Sequence, residues 1–535
     1  MRKRENSGDN SDEVRVYLVG GGIASLSAAA FLIRDANVPG RSITVFEERE
    51  VFGGSLDGAG TPETGYVFRG GRMLENKYVC TYDLFSSIPT LDQEKTVTEE
   101  IFDWNRTMKT SSQSRLVRGG HRVVAPEFGL GEKHILTLER LALEPEAALG
   151  RSAIEDHFEG SFFATNFWLM WCTTFAFQPW HSAVEFRRYL LRFAHMVPGF
   201  TKLHGIMRTV YNQYDSLVRP LQKWLRKHGV RFEPDTRVTD LIMGVSAAGK
   251  KVDRIVCEHE GRKNDLPTGD KDYVIVTLGS MTEGSSLGSM DTTPVANTRY
   301  GGSSWELWEK IAAGRPEFGH PSVFASHVDK SKWMSFTTTL RDPALFDFVR
   351  DLTGNVPGEG GLITFADSSW LISIVLPCQP HFFGQPEDVN VFWGYGLFVE
   401  KQGDFVKKPM QACTGREILT ELLGHLGMKE KMERILDTSI CIPCMMPFIT
   451  SQFMPRERGD RPQVLPDGWT NLGFVGQFCE LPDDVVFTVE YSIRSAQTAV
   501  YKLFKLNREP PPVYKGQHNF RVLFDALMTL HDVSV

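Results

Sequence analysis

A glycine-rich turn lies between an apolar segment and an alanine-rich segment near the start of the chain. The apolar residues 14–19 precede Gly20-Gly21-Gly22, and residues 23–33 continue with helical character. A second apolar segment, 42–46, ends at Glu47. Glycines in such a turn let a pyrophosphate approach a helix N-terminus, and a carboxylate after the second strand accepts a ribose hydroxyl. The order strand, turn, helix, strand therefore predicts a dinucleotide-binding unit.

Two further glycine clusters favour FAD over NAD as the dinucleotide. Gly53-Gly54-Ser55 follows Glu47, and Arg69-Gly70-Gly71-Arg72 comes soon after. Additional contacts to phosphate and ribose suit the larger cofactor, while Glu47 in place of a basic residue disfavours a 2′-phosphate. The predicted cofactor contacts are Gly20, Gly22, Ile23, Ala24, Ser25, Glu47, Glu48, Gly53, Gly54, Ser55, Arg69, Gly70, Gly71, Arg72, Val238, Thr277, Gly279, Ser280, Gly476 and Gln477.

Two later segments have the same shape as the first strand and its turn. Residues 272–280 and 471–478 each join an apolar run to small residues, and a helix is predicted over 489–503. The fold class is therefore predicted to be α/β, with a discontinuous Rossmann-like FAD-binding domain. The predicted parts are a disordered tail at 1–12, the FAD-binding domain at 13–80, 205–300 and 441–508, a substrate domain of sheet and helices at 81–204 and 301–440, and a C-terminal helical segment at 509–535.

Aromatic side chains are concentrated in residues 161–180, which carry few charges. Such a segment either lines an apolar ligand chamber or fills a large core, and both alternatives stay open at this point. Strands predicted over 370–376 and 389–399 would form a sheet beneath helices. We therefore expect the substrate domain to hold an apolar chamber.

Charge and cysteine content exclude several classes of protein. The chain has 59 Lys and Arg against 66 Asp and Glu, a net charge of −7, and no local basic patch, which disfavours nucleic-acid binding. No run of about 18 uncharged apolar residues predicts a membrane span. The eight cysteines are too scattered for a disulfide framework or a metal site. The expectation is a cytoplasmic protein without a metal.

Three side chains are candidates for acid–base chemistry. Glu75 lies just past the Arg69–Arg72 cluster, so its carboxylate should lie near the cofactor. Tyr211 and Tyr214 lie where a helix is predicted to begin, and a helix N-terminus stabilises a developing phenolate. Structural roles, including a salt bridge of Glu75 to a neighbouring basic residue, are the alternatives. The histidines, His195 among them, have no carboxylate at a diagnostic spacing.

Several longer strings together are far more specific than the glycine turn alone. They are residues 19–26, 68–75, 211–216, 379–382, 392–397, 449–456 and 485–492. In this order they resemble the fatty-acid double-bond hydratases, known as oleate hydratases and formerly as myosin-cross-reactive antigens, over nearly the whole chain. The resemblance implies an FAD-dependent hydro-lyase. It would add water across the cis-9 double bond of oleic acid and related free fatty acids, giving 10-hydroxy acids without net electron transfer, with the flavin in its reduced state.

The resemblance also implies catalytic roles. A carboxylate after the Arg-Gly-Gly-Arg run acts on the water in this family, but many members have Glu where this chain has Met73. The nearest carboxylate is Glu75, which we expect to take that role. A tyrosine of the 211–214 segment would protonate the alkene, with Tyr211 preferred over Tyr214.

Substrate and surroundings follow from the same resemblance. Thr450 and Gln452 lie in one of the matching strings and would hold the fatty-acid carboxylate; capping of their own loop is the alternative. The C-terminal helical segment is amphipathic and would either touch a membrane surface or pack on its own domain or on a second subunit. Both a monomer and a homodimer are open. Competing interpretations are a flavin oxidoreductase of the amine-oxidase or carotenoid-desaturase kind and a lipid-binding scaffold without catalysis, although the intact Gly20, Gly22 and Glu47 disfavour the scaffold.

Overall fold

The computed structural model describes residues 14–71, 73–124, 126–295 and 303–531. The predicted tail at 1–12 and the predicted cofactor contact Arg72 lie outside the described residues. Within these residues, no helix combines the length and the apolar character needed to cross a bilayer.

A five-stranded parallel sheet, here called the nucleotide sheet, forms the first layer. Its strands lie side by side in the order Leu472–Val475, Asp272–Thr277, Arg15–Val19, Ile43–Phe46 and Arg231–Glu233. They come from three separated parts of the chain, as an interrupted nucleotide-binding fold requires. The predicted α/β class with a Rossmann-like sheet is confirmed.

Two helices pack on each other against the nucleotide sheet because the first has a small-residue face. Helix Ile23–Arg34 carries three consecutive buried alanines, Ala28 to Ala30, and contacts helix Val489–Leu503. The second helix begins where the Thr488 hydroxyl accepts a hydrogen bond from the Tyr491 N–H. Its bounds agree with the sequence prediction for 489–503.

A mixed eight-stranded sheet, here called the floor sheet, lies beneath the site. Its strand order is Ser286–Leu287, Ser439–Met446, Trp333–Leu340, Asn390–Gly396, Ile372–Val375, Ile363–Phe365, Leu116–Arg118 and His121–Val123. Every residue of Trp333–Leu340 is buried. The predicted domain boundary at residue 441 falls inside strand Ser439–Met446. This strand pairs along its whole length with Trp333–Leu340, so the hydrogen bonding of the floor sheet continues across the predicted boundary.

Smaller sheets and the remaining helices complete the chain. The smaller sheets are Thr236–Ser246 with Gly249–His259 and Arg262–Pro267, Gly58–Thr61 with Gly65–Phe68, and Leu74–Glu75 with Ile206–Met207. The other helices are Val79–Phe85, Val97–Thr107, Glu132–Leu143, Glu146–Leu149, Asn166–Phe175, Ala183–Arg192, Arg219–Lys227, Ser303–Ala312, Ser322–Ala325, Val328–Ser331, Ala344–Thr353, Gly415–His425, Met432–Asp437 and Phe520–Leu530, with a 3₁₀ helix at Ala194–Lys202 and a π-helical turn at Tyr214–Val218.

Candidate active site

A cleft of about 320 Å³, here called the cofactor cleft, opens beside the carboxyl ends of the nucleotide-sheet strands. Open α/β sheets bind their ligands at this edge. The predicted cofactor contacts that line it are Gly20, Gly22, Ile23, Ala24, Glu47, Glu48, Gly54, Ser55, Arg69, Val238, Thr277, Gly279, Ser280, Gly476 and Gln477. Ser25 lies behind it, 3.0 Å from the Thr277 hydroxyl, and Gly53 donates its N–H to the Gly21 carbonyl.

The glycine turn fits a pyrophosphate. Gly22 caps helix Ile23–Arg34 without any side-chain hydrogen bond, and the first turn of the helix has no acidic residue. A Cβ atom at Gly22 would meet nothing closer than 3.9 Å, so this glycine leaves the helix N-terminus open to the cleft. A Cβ atom at Gly21 would instead lie 2.5 Å from the Phe52 ring, so that glycine is required by packing. The unoccupied N–H groups and the open approach are what a dinucleotide needs.

Glu47 lies where a ribose hydroxyl can reach it. Its Oε2 accepts the Gly21 N–H at 2.8 Å and its Oε1 accepts the Arg49 N–H at 3.0 Å. Burial raises the pKa of Glu47 despite these two hydrogen bonds. Sequence reasoning missed Glu283, which also lines the cleft and whose pKa burial raises to about 7.

A second space of about 100 Å³, here called the apolar cavity, adjoins the cofactor cleft at Arg69, which lines both. Its lining includes Gly70, Gly71, Met73, Leu74, Glu75, Tyr78, Thr173, Phe175, Tyr189, Phe193, Trp333, Trp393, Tyr395 and Phe487. One part of the aromatic segment 161–180 lines this cavity, and another part fills the core. Residues 173–176 line the cavity, whereas Phe162, Trp168 and Trp171 pack on other buried rings.

Glu75 is a buried carboxylate held by two basic side chains. It is 2% exposed, with Arg192 Nη1 at 2.8 Å from Oε1 and His195 Nε2 at 3.3 Å from Oε2. The Lys77 N–H also donates to Oε2, at 3.1 Å. Burial favours protonation of Glu75, but the hydrogen bond from His195 and the charge of Arg192 outweigh it, so its pKa lies below the ordinary value.

These partners of Glu75 come from a distant part of the chain. Among the described residues, the salt-bridge partner of Glu75 is Arg192, and His195 also lies against this carboxylate. Both come from helix Ala183–Arg192 and the 3₁₀ helix after it, more than 100 residues away. No spacing rule could have identified them.

A third space of about 50 Å³, here called the polar cavity, shares Gly70, Gly71, Val375 and Trp393 with the apolar cavity. It is also lined by Arg208, Gln213 and His381. Burial lowers the pKa of Arg208 to about 10, and within the described part of the chain this guanidinium forms no ion pair. Burial, followed by the charge of Arg208, lowers the pKa of His381 to about 3.

The polar groups of the polar cavity are incompletely satisfied. Arg208 Nη2 donates to the Gly360 carbonyl at 3.4 Å, but its Nε has no hydrogen-bond partner among the described residues. Gln213 is 8% exposed, and in the same part of the chain neither atom of its side-chain amide has a partner. A half-buried cation beside an unpartnered buried amide is an arrangement that favours an anionic ligand.

The predicted tyrosines lie outside these cavities. The Tyr211 ring packs edge-on against Phe383, with centroids 5.5 Å apart, and the Tyr214 ring lies beside Gly53. Tyr211 ends a loop, and Tyr214 begins a π-helical turn that continues into helix Arg219–Lys227, so a helix does begin in this segment as predicted. The structure therefore does not bring either phenol to Glu75.

Other phenols line the apolar cavity and were missed by sequence reasoning. Tyr78, Tyr189 and Tyr395 all do so, and Tyr189 is 1% exposed. The Tyr189 hydroxyl donates to the Val486 carbonyl at 2.6 Å. Helix Ala183–Arg192 contains two aromatic residues, Phe186 and Tyr189, and this pattern did not distinguish a cavity wall from core.

Thr450 and Gln452 are buried beside the site without lining any of the three spaces. The Thr450 hydroxyl donates to the Ser331 carbonyl at 2.9 Å, and Gln452 Nε2 donates to the Ile449 carbonyl at 3.1 Å. Ile449 itself lines the apolar cavity. The Thr450 side chain thus bonds to a distant segment and the Gln452 amide to its own segment, and neither hydrogen bond faces one of the three spaces.

One group of described side chains, Asp404, Glu421 and His425, is close enough to hold a cation, with donor atoms within 4.8 Å of one another. Both Glu421 oxygens already accept backbone N–H groups, from residues 404 to 406. Asp404 similarly accepts the Ser369 N–H and hydroxyl. These bonds anchor the 404–406 loop and explain the cluster without a metal.

Comparison with known proteins gives one consistent result. A family model described as the MCRA family matches residues 13–501. An oleate hydratase of Streptococcus pyogenes serotype M49 (strain NZ131) is 41% identical, covering 97% of this chain and 90% of that protein. A linoleate hydratase of Lactiplantibacillus plantarum is 32% identical, covering 91% of this chain and 93% of that protein.

Solved structures share the fold at low sequence identity. Cyclohexylamine oxidase from Brevibacterium oxydans IH-35A is 12% identical with a TM-score of 0.52, and the match covers 93% of this chain and 100% of that one. An oxidoreductase from Methanosarcina mazei matches with a TM-score of 0.50 at 12% identity, over 90% of this chain and 98% of that one. These likenesses concern the fold alone.

Proposed function

The chain belongs to the MCRA family, and from this membership we infer that it is a hydratase, a hydro-lyase of unsaturated fatty acids that carries FAD in the cofactor cleft. We propose oleic acid and related free fatty acids as substrates, with addition of water across the cis-9 double bond to give 10-hydroxy acids. The observation that carries the proposal is an apolar cavity with a buried carboxylate, adjoined by a dinucleotide cleft on one side and, on the other, by the half-buried cation Arg208, which has no ion pair among the described residues.

The two cavities suggest the orientation of the substrate. The fatty-acid carboxylate would enter the polar cavity, where Arg208 would pair with it and the Gln213 amide would donate a hydrogen bond. The chain would then pass Gly70 and Gly71, which line both cavities, and bring its double bond toward Glu75. Glycine leaves room for an alkyl chain at this passage. We therefore propose Arg208 and Gln213, in preference to Thr450 and Gln452, as the carboxylate site.

The reaction requires a proton donor, because an isolated alkene is a very weak base. We propose Tyr189 for this role in preference to Tyr211, since Tyr189 lines the cavity with Glu75 and Tyr211 does not. The proton would pass from the Tyr189 hydroxyl to C9, the water oxygen would bond to C10, and the proton lost by that water would restore the phenol. The sum is the addition of one water molecule.

Glu75 would act mainly through its negative charge. Protonation of the alkene develops positive charge on carbon, which a fixed anion in a water-poor cavity stabilises. A carboxylate with a depressed pKa is a weak base, but a cationic carbon is a strong electrophile, so the water needs orientation more than deprotonation. Met73 lines the same cavity and adds apolar surface.

The cofactor fits the cleft that the glycine turn and Glu47 form. When bound, the flavin, which we propose works in its reduced state, would supply an electron-rich ring near the developing positive charge. Arg69, which lines both the cofactor cleft and the apolar cavity, would hold the cofactor against the substrate chamber. Its guanidinium is oriented by Asp57, whose Oδ1 accepts the Arg69 Nε–H at 2.8 Å.

The C-terminal helix offers a route for substrate delivery. Helix Phe520–Leu530 leaves Phe520, Leu523 and Phe524 exposed, by 82%, 42% and 46%. We propose that this face makes peripheral contact with a lipid surface, where free fatty acids partition.

Hydration is tested by incubating the purified protein anaerobically with oleic acid in ¹⁸O-labelled water, with and without FAD and a reductant. The expected product is one water heavier than oleate and carries the label at C10, which mass spectrometry detects. A desaturated product, or flavin bleaching without hydration, would instead support an oxidoreductase. Comparing Tyr189→Phe with Tyr211→Phe in the same assay identifies the proton donor.

A further inference from the structure

We propose that the C-terminal segment supports the active site, with Tyr514 as a positioning residue that acts on Glu75 through His195. The proposal rests on the proposed hydratase function and extends it. Tyr514 lies beyond residue 501, where the match to the family model ends. The support that it provides is therefore read from this chain's own contacts.

The inner part of the arrangement is the pairing of Glu75 with His195 and Arg192. His195 Nε2 lies 3.3 Å from Glu75 Oε2, while Arg192 Nη1 lies 2.8 Å from Oε1, so each carboxylate oxygen faces one basic side chain. The orientation of the carboxylate therefore depends on where these two side chains are held.

The outer part is the ring of Tyr514. It meets the His195 ring edge-on, at 4.9 Å between centroids and 78° between planes. Lys77 Nζ lies 5.0 Å from the centre of the same ring, and the Arg192 guanidinium lies 6.0 Å from it. One aromatic ring thus contacts three basic side chains around Glu75, as cation–π packing favours.

His195 depends on this packing because its other nitrogen is unsupported. Imidazoles that serve a reactive group are usually oriented by a hydrogen bond at the second ring nitrogen. The Nδ1 atom of His195 is buried and has no hydrogen-bond partner in the part of the chain that the structure describes. Ring orientation is therefore left to the neighbouring side chains, and Tyr514 supplies an aromatic contact.

The segment that carries Tyr514 is tied to the same charged network. The Pro511 carbonyl accepts a hydrogen bond from Arg494, which also pairs with Asp484 at 2.8 Å. Asp484 in turn lies 4.0 Å from Arg192. Helix Phe520–Leu530 packs on the 3₁₀ helix Ala194–Lys202, which contains His195. Contacts on both sides therefore fix Tyr514 over the histidine.

The charged and titratable groups around Glu75 determine the direction of the pH effect. They are Arg192 and His195 in contact, Lys77 and Tyr514 on the outer side, Tyr78 and Tyr82 on the inner side, and Asp484 behind Arg192. The His195 hydrogen bond lowers the pKa of Glu75, so loss of that contact raises it. As the pH falls, activity that needs ionised Glu75 is then lost at a higher pH than in the wild-type protein.

A double-mutant cycle tests the proposal on the full-length protein with FAD bound. Tyr514→Ala and His195→Ala are each expected to lower kcat about tenfold, with KM and FAD content unchanged and the acid limb of the pH profile moved upward. If Tyr514 acts through His195, the double variant is no slower than His195→Ala alone. Tyr514→Phe, which keeps the ring, is expected to retain activity, as is His518→Ala, an exposed ring of the same segment.

Two results would overturn the proposal: losses that multiply in the double variant to about a hundredfold, or an unchanged pH profile in Tyr514→Ala. Failure of the wild-type protein to hydrate oleate would refute the proposed function instead. The inference is then decided by NMR of ¹³C-histidine-labelled protein, with the His195 signal assigned from His195→Ala. Tyr514→Ala and Glu75→Gln should both move that signal, and an unmoved signal in Tyr514→Ala rejects the coupling.

Discussion

Arg208→Met is expected to stabilise the protein while weakening substrate binding. The substitution removes the guanidinium but keeps an apolar stem of similar length. A pKa of about 10 in place of the ordinary 12.5 means that the fold destabilises this cation by about 3 kcal/mol. The sign follows because the unfolded chain solvates the charged form better, and this penalty is present at every pH below about 10.

The net gain is smaller than this figure. Arg208 is partly exposed, so solvent screens part of the penalty, and the variant loses the 3.4 Å hydrogen bond to the Gly360 carbonyl. Losing one hydrogen bond costs about 1 kcal/mol. We expect the free energy of unfolding to rise by about 1 kcal/mol at pH 7, seen as a Tm higher by about 1 °C.

Substrate binding changes in the opposite direction. Truncating one partner of a buried charge pair costs about 2 kcal/mol or more, so KM for oleic acid should rise at least about 30-fold. Because the carboxylate lies far from the reacting bond, its binding energy is the same before and during the reaction, and kcat should stay within about threefold. Oleyl alcohol, which lacks the charge, should be hydrated equally by both proteins.

The assay is steady-state hydration of oleic acid and oleyl alcohol, with thermal denaturation of the same samples. Arg219→Met is the matched control, since Arg219 is near in sequence but pairs with Asp215 outside the cavity. An unchanged KM with a lowered Tm would show that Arg208 is structural and would refute the assignment of the carboxylate site.

Three further predictions concern the cofactor cleft and the reacting groups. Gly22→Ala should keep its Tm but lose FAD affinity at least about tenfold, whereas Gly21→Ala should lower the Tm because its Cβ would lie 2.5 Å from the Phe52 ring; flavin absorbance and thermal melts measure both. Glu75→Gln should lower turnover about 100-fold with FAD retained. Folding depresses the pKa of Glu75, so ionised Glu75 stabilises the wild-type protein above about pH 5. The difference in the free energy of unfolding between wild type and Glu75→Gln should therefore be largest there and shrink as the pH falls, which urea denaturation at pH 3 to 7 checks. Tyr189→Phe should abolish hydration and Tyr211→Phe should retain it; the reverse result would restore the sequence-based assignment.

Short-range patterns in the sequence predicted much of the cofactor cleft. The turn at Gly20–Gly22, the following helix and Glu47 lie within about 30 residues, and local backbone rules relate them in space. The helix at 489–503 was equally predictable, because a capping threonine and an apolar periodicity define its bounds. The family resemblance added the reaction, which no local pattern contains.

The amino-acid sequence by itself therefore determined the α/β class, the dinucleotide turn and the family. The tertiary structure alone showed that Arg192 and His195 hold Glu75, that Tyr189 lines the cavity while Tyr211 does not, and that Arg208 is a half-buried cation with no ion pair among the described residues. The physical reason is that burial and charge pairing arise where distant segments meet. Sequence spacing specifies neighbours along one helix or turn, but it does not specify which segments pack together.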